Sequence, residues 1–390
     1  MSFRAYSSLS ILILSILLFS TVSGCRSKAP QVPSGQTTFI DYQQQTAEWV
    51  QNHRNFQTAH HDRELEWNTP HEWRPEPTSS RRGILLVHGL GDSPGSFSDI
   101  APVLAKQGFI VRTVLLPGHG TRPSDLLTVS VADWRRIVNE QARILRQDTQ
   151  EIWVGGFSTG ANLALEYAMN NPEVKGAILF SPAIKSQVWF DFLAPIIPLF
   201  IDWPEKPSKI LSEMTATRYQ IIPVNAVTQY YYTSRAIQQK LAKTKYNKSV
   251  LLVMAQHDSV VDVNWIMQKF DTYFTNPNSR LIWYGKIDKN QLHSSRLLIK
   301  SDYFPQYNIS QFSHMSVLFS PENSEYGING KQRICLNGQT DDDTLKCMKG
   351  SKVWFSDWGY TEKDKIHARL TWNPLFKWQS TIIKKITNHN

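Results

Sequence analysis

Residues 151–165 read Glu-Ile-Trp-Val-Gly-Gly-Phe-Ser-Thr-Gly-Ala-Asn-Leu-Ala-Leu. Ile152, Trp153 and Val154 form the short β-branched and aromatic run of a buried strand, and the alanines and leucines from Ala161 to Met169 form a helix pattern. Ser158 falls at the junction. A strand that turns straight into a helix holds its central residue in a strained backbone conformation, and Gly156 and Gly160 remove the side chains that would collide there. The expected result is a serine hydroxyl at the carboxyl edge of a sheet, beside a helix N-terminus whose free amides favour negative charge. The pattern Gly-x-Ser-x-Gly is weak alone. The strand before it and the helix after it give it weight.

The same alternation extends in both directions. Gly83 to Gly89 (Gly-Ile-Leu-Leu-Val-His-Gly) is a continuous apolar run of the kind buried on both faces of a parallel sheet, and helix signals follow at Phe97, Ile100, Val103 and Leu104. Phe109 to Leu116, Lys175 to Pro182, Ser249 to Ala255 and Ser279 to Tyr284 read as further strands, with helices over 131–145 and 225–241. Strands alternating with helices in this rhythm predict an α/β fold with a doubly wound, mostly parallel sheet. The rhythm stops over 186–219, where Trp189, Phe190, Phe192, Leu199, Phe200 and Trp203 are interrupted by Pro195, Pro198, Pro204 and Pro207. Such a stretch is too proline-broken for one helix and too apolar for a free loop, so an apolar cap over Ser158 is expected; an insertion packed on the sheet edge is the structural alternative. A helix is also expected over 39–50, and Asn373-Pro374 announces a last one.

A serine hydroxyl is a poor nucleophile unless a base takes its proton, and a histidine oriented by a carboxylate is the usual base. Asp258 directly follows a strand, and Asp262 lies four residues beyond it. After the strand 279–284 come His293, within Lys289, Asn290, Ser294, Ser295 and Arg296, and His314, followed by the apolar Met315, Val317, Leu318 and Phe319. The reading favours Ser158, Asp258 and His314. The backbone amides of Leu90 and Thr159 are the expected donors to a developing oxyanion.

Four stretches, His88-Gly-Leu-Gly-Asp-Ser-Pro94, Leu116-Pro-Gly-His-Gly-Thr121, Gly156-Phe-Ser-Thr-Gly160 and His257-Asp-Ser-Val-Val-Asp262, resemble the α/β-hydrolase superfamily. The resemblance is to its branch of monoacylglycerol lipases, lysophospholipases and bacterial carboxylesterases. It covers 83–390 except the cap at 186–219 and an insertion at about 327–369, and it implies an α/β-hydrolase fold. Ser313-His314, with Pro321-Glu-Asn323 and Tyr326-Gly327, resembles the histidine loop of that branch. His88 and His119 are loop-shaping there, and His257 is read as a neighbour of the acid. The implied activity is hydrolysis of acyl esters such as monoacylglycerols or lysophospholipids. Peptidases, amidases, thioesterases and noncatalytic proteins binding an apolar ligand share the fold.

The N-terminus carries a separate message. Leu9 to Phe19 is almost wholly aliphatic, too short to span a bilayer and suited to the apolar part of a signal peptide. Val22-Ser23-Gly24-Cys25 resembles the bacterial lipobox, which implies removal of residues 1–24, acylation of Cys25 and a place in the cell envelope, with the outer membrane favoured; an ordinary cleaved signal or an uncleaved anchor is the alternative. Residues 25–38 then read as a flexible tether and 39–390 as one domain. The remaining cysteines, Cys335 and Cys347, are expected to pair in an oxidising compartment. The chain has 42 basic and 33 acidic residues, a net charge of +9 that loss of Arg4 with the signal lowers to +8. Basic residues and aromatics are not interleaved in clusters, so nucleic acid is not an expected partner. No phosphate-cradling glycine loop or zinc signature is present, so no cofactor or metal is implied, and a monomer is expected.

Overall fold

The computed structural model describes residues 32–76, 81–188, 191–287 and 294–388. The N-terminal apolar run, Cys25, Trp189, Phe190 and His293 lie outside the described residues. In chain order the elements are α1 (Phe39–His53), α2 (His61–Asn68), β1 (Glu72–Trp73), β2 (Arg82–Val87), α3 (Ile100–Ala105), β3 (Phe109–Val114), α4 (Val131–Asp148), β4 (Glu151–Phe157), α5 (Thr159–Asn170) and β5 (Val174–Phe180). There follow α6 (Val224–Lys243), β6 (Ser249–Ala255), α7 (Val263–Tyr273), β7 (Arg280–Tyr284), β8 (Leu297–Lys300), α8 (Asp341–Met348), β9 (Trp354–Ser356), β10 (His367–Arg369) and α9 (Phe376–Asn388).

Eight strands make one sheet in the order β1-β3-β2-β4-β5-β6-β7-β8, parallel throughout except for β1, which pairs antiparallel with β3 at the edge. The central strands are buried almost end to end, which is why they read as unbroken apolar runs rather than alternating ones. Alternation is still present, but it sorts side chains between two cores. Leu85, Val87 and Val154 join residues of α1, α4, α5, α6 and α7 on one face. Ile84, Leu86, Trp153 and Phe157 join α3, α9 and the irregular segment around 309–326 on the other. This is an α/β-hydrolase fold with a doubly wound sheet.

Several elements depart from the reading above. The stretch between β7 and His314 contains β8, an edge strand whose side chains are only partly buried, so it carries little apolar signal. The region 52–82, rich in charge, His and Pro and with no helix expected in it, contains α2. That helix buries Glu64 and Asn68 rather than an apolar stripe: Glu64 pairs with the buried Arg54 at 2.9 Å and accepts the Gln57 and Thr58 amides. The tether is shorter than expected at its C-terminal end. Val32 is buried, Arg136 donates to the Ser34 hydroxyl at 2.8 Å, and the Gly35 amide donates to Glu140 at 3.0 Å, so residues 32–38 lie along α4.

Among its described residues, the only helical turns of the segment 186–219 are short 3-10 turns, at Asp191–Leu193 and Ile197–Leu199. Its apolar side chains do not all turn inward, since Phe192, Ile196, Leu199, Phe200 and Ile201 are exposed. Its last residues are fastened to the loop that follows β2. The Tyr219 amide donates to the Gly91 carbonyl at 2.7 Å, and the Ser93 hydroxyl donates to the Thr217 carbonyl at 3.0 Å. In the insertion, Cys335 and Cys347 are joined by a disulfide and pack with Val353 and Ala368 in a small core of their own. Among the described residues no helix is long and apolar enough to cross a membrane.

Candidate active site

Ser158 connects β4 directly to α5 with φ 54° and ψ −118°. A non-glycine residue reaches this region only under strain. The two flanking glycines are there because backbone occupies the space that side chains would need. A Cβ on Gly156 would come within 2.5 Å of Gly160, and one on Gly160 would come within 2.1 Å of the Val87 carbonyl oxygen. The elbow is tied at both ends: the Ser158 amide donates to the Phe180 carbonyl at 3.0 Å, and its own carbonyl accepts the Ala161 amide at 3.1 Å. Ser158 itself is buried.

His314 and Asp258 meet. The His314 Nδ1–H donates to Asp258 Oδ2 at 2.6 Å, which leaves Nε2 unprotonated in the neutral ring and able to take a proton. The other carboxylate oxygen, Oδ1, accepts the Val260 amide at 2.8 Å and the Val261 amide at 3.2 Å, so the acid is fixed by its own loop. His314 is positioned from three sides. Its carbonyl accepts the Ser181 hydroxyl at 2.9 Å, the hydroxyl of Ser313 donates to the Leu370 carbonyl, and its ring lies 4.9 Å from that of Phe157, the residue before Ser158.

The competing residues go elsewhere. Asp262 caps α7 by accepting the Trp265 amide at 3.0 Å, and it pairs with Lys185 at 2.8 Å. His257 pairs with Asp302 at 2.6 Å through a half-exposed ring.

The loop after β2 brings Leu90 beside the elbow, because a Cβ on Gly89 would stand 3.3 Å from the Ser158 Cβ. Two buried histidines shape this loop. His119 Nε2 accepts the Gly91 amide at 3.0 Å, and His88 Nε2 accepts the Leu116 amide at 3.1 Å. Each ring thereby donates from Nδ1 to a backbone carbonyl, His88 to Gly89 at 2.8 Å and His119 to Leu116 at 3.2 Å. Burial favours the neutral rings: it drives His119 down to about 4 and His88 well below the usual histidine range. The Thr159 amide is the first of α5, where no earlier helical carbonyl exists to accept it.

Two further carboxylates near the pair were not singled out by the sequence. Asp357, on the insertion, is buried and bonds to Ser259; burial and the charge of Asp258 push its carboxyl up to about 6, against the opposing pull of that bond and of Arg369. Asp92 is buried in the loop after β2, where burial raises its pKa against the attraction of Arg218. Asp92 stands within a quoted motif, but Asp357 lies about a hundred residues from Asp258 and only the folded chain joins them.

The chain belongs to the family described as serine aminopeptidase S33, whose pattern it matches over residues 78–285. Among curated relatives it is 36% identical over 102 residues to a thermostable monoacylglycerol lipase of Bacillus sp. (strain H-257), a match covering 26% of this chain and 41% of the relative. It is 26% identical over 121 residues to an uncharacterized protein of Mycobacterium tuberculosis (strain ATCC 25618 / H37Rv), covering 30% of this chain and 35% of that one. These matches therefore span less than half of either relative. Among solved structures, one of the metagenome-derived lipolytic enzymes LipS and LipT aligns with TM-score 0.47 and 22% identity over 55% of this chain and 86% of its own. The monoacylglycerol lipase of Paleococcus ferrophilus aligns with TM-score 0.43 and 18% identity over 55% and 87%.

Proposed function

We propose that the chain is a serine hydrolase of carboxylic esters, with Ser158 as nucleophile, His314 as base and Asp258 as the carboxylate that orients the base. The observation that carries the reading is the pairing of a strained, glycine-flanked serine with a separate His–Asp pair at the same edge of the sheet. In this mechanism Ser158 Oγ attacks the ester carbonyl carbon while its proton passes to His314 Nε2, and Asp258 stabilises the imidazolium. The oxyanion is received by the amides of Leu90 and Thr159, each worth about 3 to 4 kcal/mol in the transition state. His314 then returns the proton to the departing alkoxide, and water activated by the same base hydrolyses the acyl-enzyme.

Acyl glycerols or lysophospholipids fit the apolar, proline-broken segment at 186–219, and the lipase relative supports an ester substrate over an amide. The exported, lipid-anchored state belongs to the same proposal. The support for a bacterial cell-envelope location is the aliphatic run Leu9 to Phe19 and the lipobox-like Val22-Ser23-Gly24-Cys25.

A fluorophosphonate probe tests the chemistry directly. We expect labelling of wild type and none of Ser158→Ala, with hydrolysis of 4-nitrophenyl butyrate falling by at least about 10⁴-fold in the variant and its thermal unfolding little changed. Hydrolysis by Ser158→Ala within tenfold of wild type would overturn the assignment. Faster turnover of a matched amide than of the ester would move the activity to the peptidase side of the fold.

A further inference from the structure

Beside the histidine loop lies a cavity of about 160 Å³ whose wall carries three guanidinium groups, those of Arg218, Arg333 and Arg369. Elsewhere in the chain, buried or half-buried arginines are matched by carboxylates, as Arg54 is by Glu64, Arg112 by Glu72 and Asp148, and Arg135 by Glu166. Among the described residues none of the three cavity arginines has a carboxylate within ion-pair distance. Their contacts are neutral. Arg218 points Nη1 at the Met315 sulfur at 2.6 Å, Arg333 donates to the Ser351 carbonyl at 3.3 Å, and Arg369 donates to Asn337 at 3.4 Å.

Burial disfavours the charge of Arg369, and the nearby Arg218 adds to the effect, against the attraction of Asp357 and Asp258. Like charges gathered in a partly dry cavity are costly unless something neutralises them. Glu205 is the one acidic residue in the wall, and it is exposed at the cavity rim. The cavity adjoins the chemistry. Met315 follows His314 in the chain, Arg369 feels the charge of Asp258, and Arg218 feels that of Asp92 in the loop after β2.

Planar guanidinium forks match the oxygens of carboxylates and phosphates. We propose that this cavity is an anion subsite, and that the substrate is an acyl ester carrying a carboxylate or phosphate group that the three arginines hold while its carbonyl lies at Ser158. The inference rests on the ester-hydrolase reading and narrows its substrate class. Two sources supply the same chemistry, an acyl chain ending in a carboxylate and a glycerol head bearing a phosphate.

Two matched pairs separate the sources. One pair is mono-4-nitrophenyl glutarate against 4-nitrophenyl pentanoate, and the other is 1-oleoylglycerol 3-phosphate against 1-oleoylglycerol. For at least one pair the ratio of kcat/KM, anionic over neutral, is expected to exceed ten in wild type. It should fall at least tenfold in Arg218→Gln and Arg369→Gln, and also in Arg333→Gln, whose exposed side chain makes that variant safe to fold. Ratios near one for both pairs, or ratios unchanged in all three variants, overturn the subsite. Calorimetry with inorganic phosphate on Ser158→Ala gives a readout that needs no turnover. Binding that weakens at least tenfold on adding Arg333→Gln supports the subsite even if no ester is hydrolysed. Hydrolysis of the neutral esters without arginine-dependent phosphate binding sinks the subsite and leaves the ester-hydrolase reading standing.

Discussion

Val154 in the sheet and His314 beyond it are both buried near the proposed site, but the chain holds them by different means. Val154 sits in a strand buried on both faces, among leucines, alanines and isoleucines that any apolar residue of similar volume would satisfy. His314 sits in irregular chain between β8 and β9, held by one carboxylate, one serine hydroxyl and one aromatic ring. The sheet tolerates approximate chemistry and fixes positions by volume. The segment 301–373 fixes positions by particular polar pairs, and each pair can be broken by a single atom.

The sharpest way to break this comparison is to remove the proposed base. In His314→Ala, kcat on a neutral ester should drop by about 10³ to 10⁴-fold, because the triad acts as a unit and little of its effect survives the loss of one member. His293→Ala, at the other histidine that follows the strand 279–284 in the sequence, is the control and should change kcat by less than threefold. The opposite pattern would move the base to His293 and leave the His314–Asp258 pair a structural one.

A second test asks whether polar groups in the sheet half behave like those beyond it. His88 and His119 are the exception to volume-fixed packing there, since both are buried neutral with Nε2 accepting a backbone amide. Their folded-state pKa values are depressed, so their contribution to stability is present above about pH 6.5 and is lost as pH falls toward 4. Urea unfolding should show stability decreasing between pH 6.5 and 4.5, with roughly 2 to 3 kcal/mol of the loss from His119 and a further loss of the same sign from His88. His119→Gln should flatten part of that slope. An unchanged slope would mean that His119 titrates in the folded protein as it does in the unfolded chain.

The same contrast explains what could be read from the sequence. Strands such as β2 and β6 were legible because burial on both faces demands continuous apolar residues. The elbow was legible because only glycine fits where Gly160 meets the Val87 carbonyl. Helix α2 was missed because its buried residues are polar and answer to Arg54. Edge strand β8 was missed because its side chains are only partly buried. His314 was legible by its apolar neighbours and its motif, whereas Asp357 and Arg369 were not. Their role depends on a meeting across the fold that no local pattern records.

The smallest expected effect tests that last group. Asp357 lies in the insertion yet stands close enough to Asp258 to feel its charge, and burial with that charge lifts its carboxyl from 3.8 to about 6. A carboxyl whose folded pKa is raised favours the folded state while protonated. Its contribution is fully present below about pH 4 and is lost as pH rises through 6. At pH 8 the ionised side chain therefore costs the fold roughly 2 to 3 kcal/mol, from a shift of about two units at 1.36 kcal/mol each. Asp357→Asn keeps the shape and removes the charge. It should raise unfolding stability by about that amount at pH 8 and by almost nothing at pH 4. A stability gain of the same size at both pH values would trace the effect to packing. A loss at pH 8 would show that Arg369 needs Asp357 more than Asp258 repels it, and the insertion would then be tied to the site by an attractive pair.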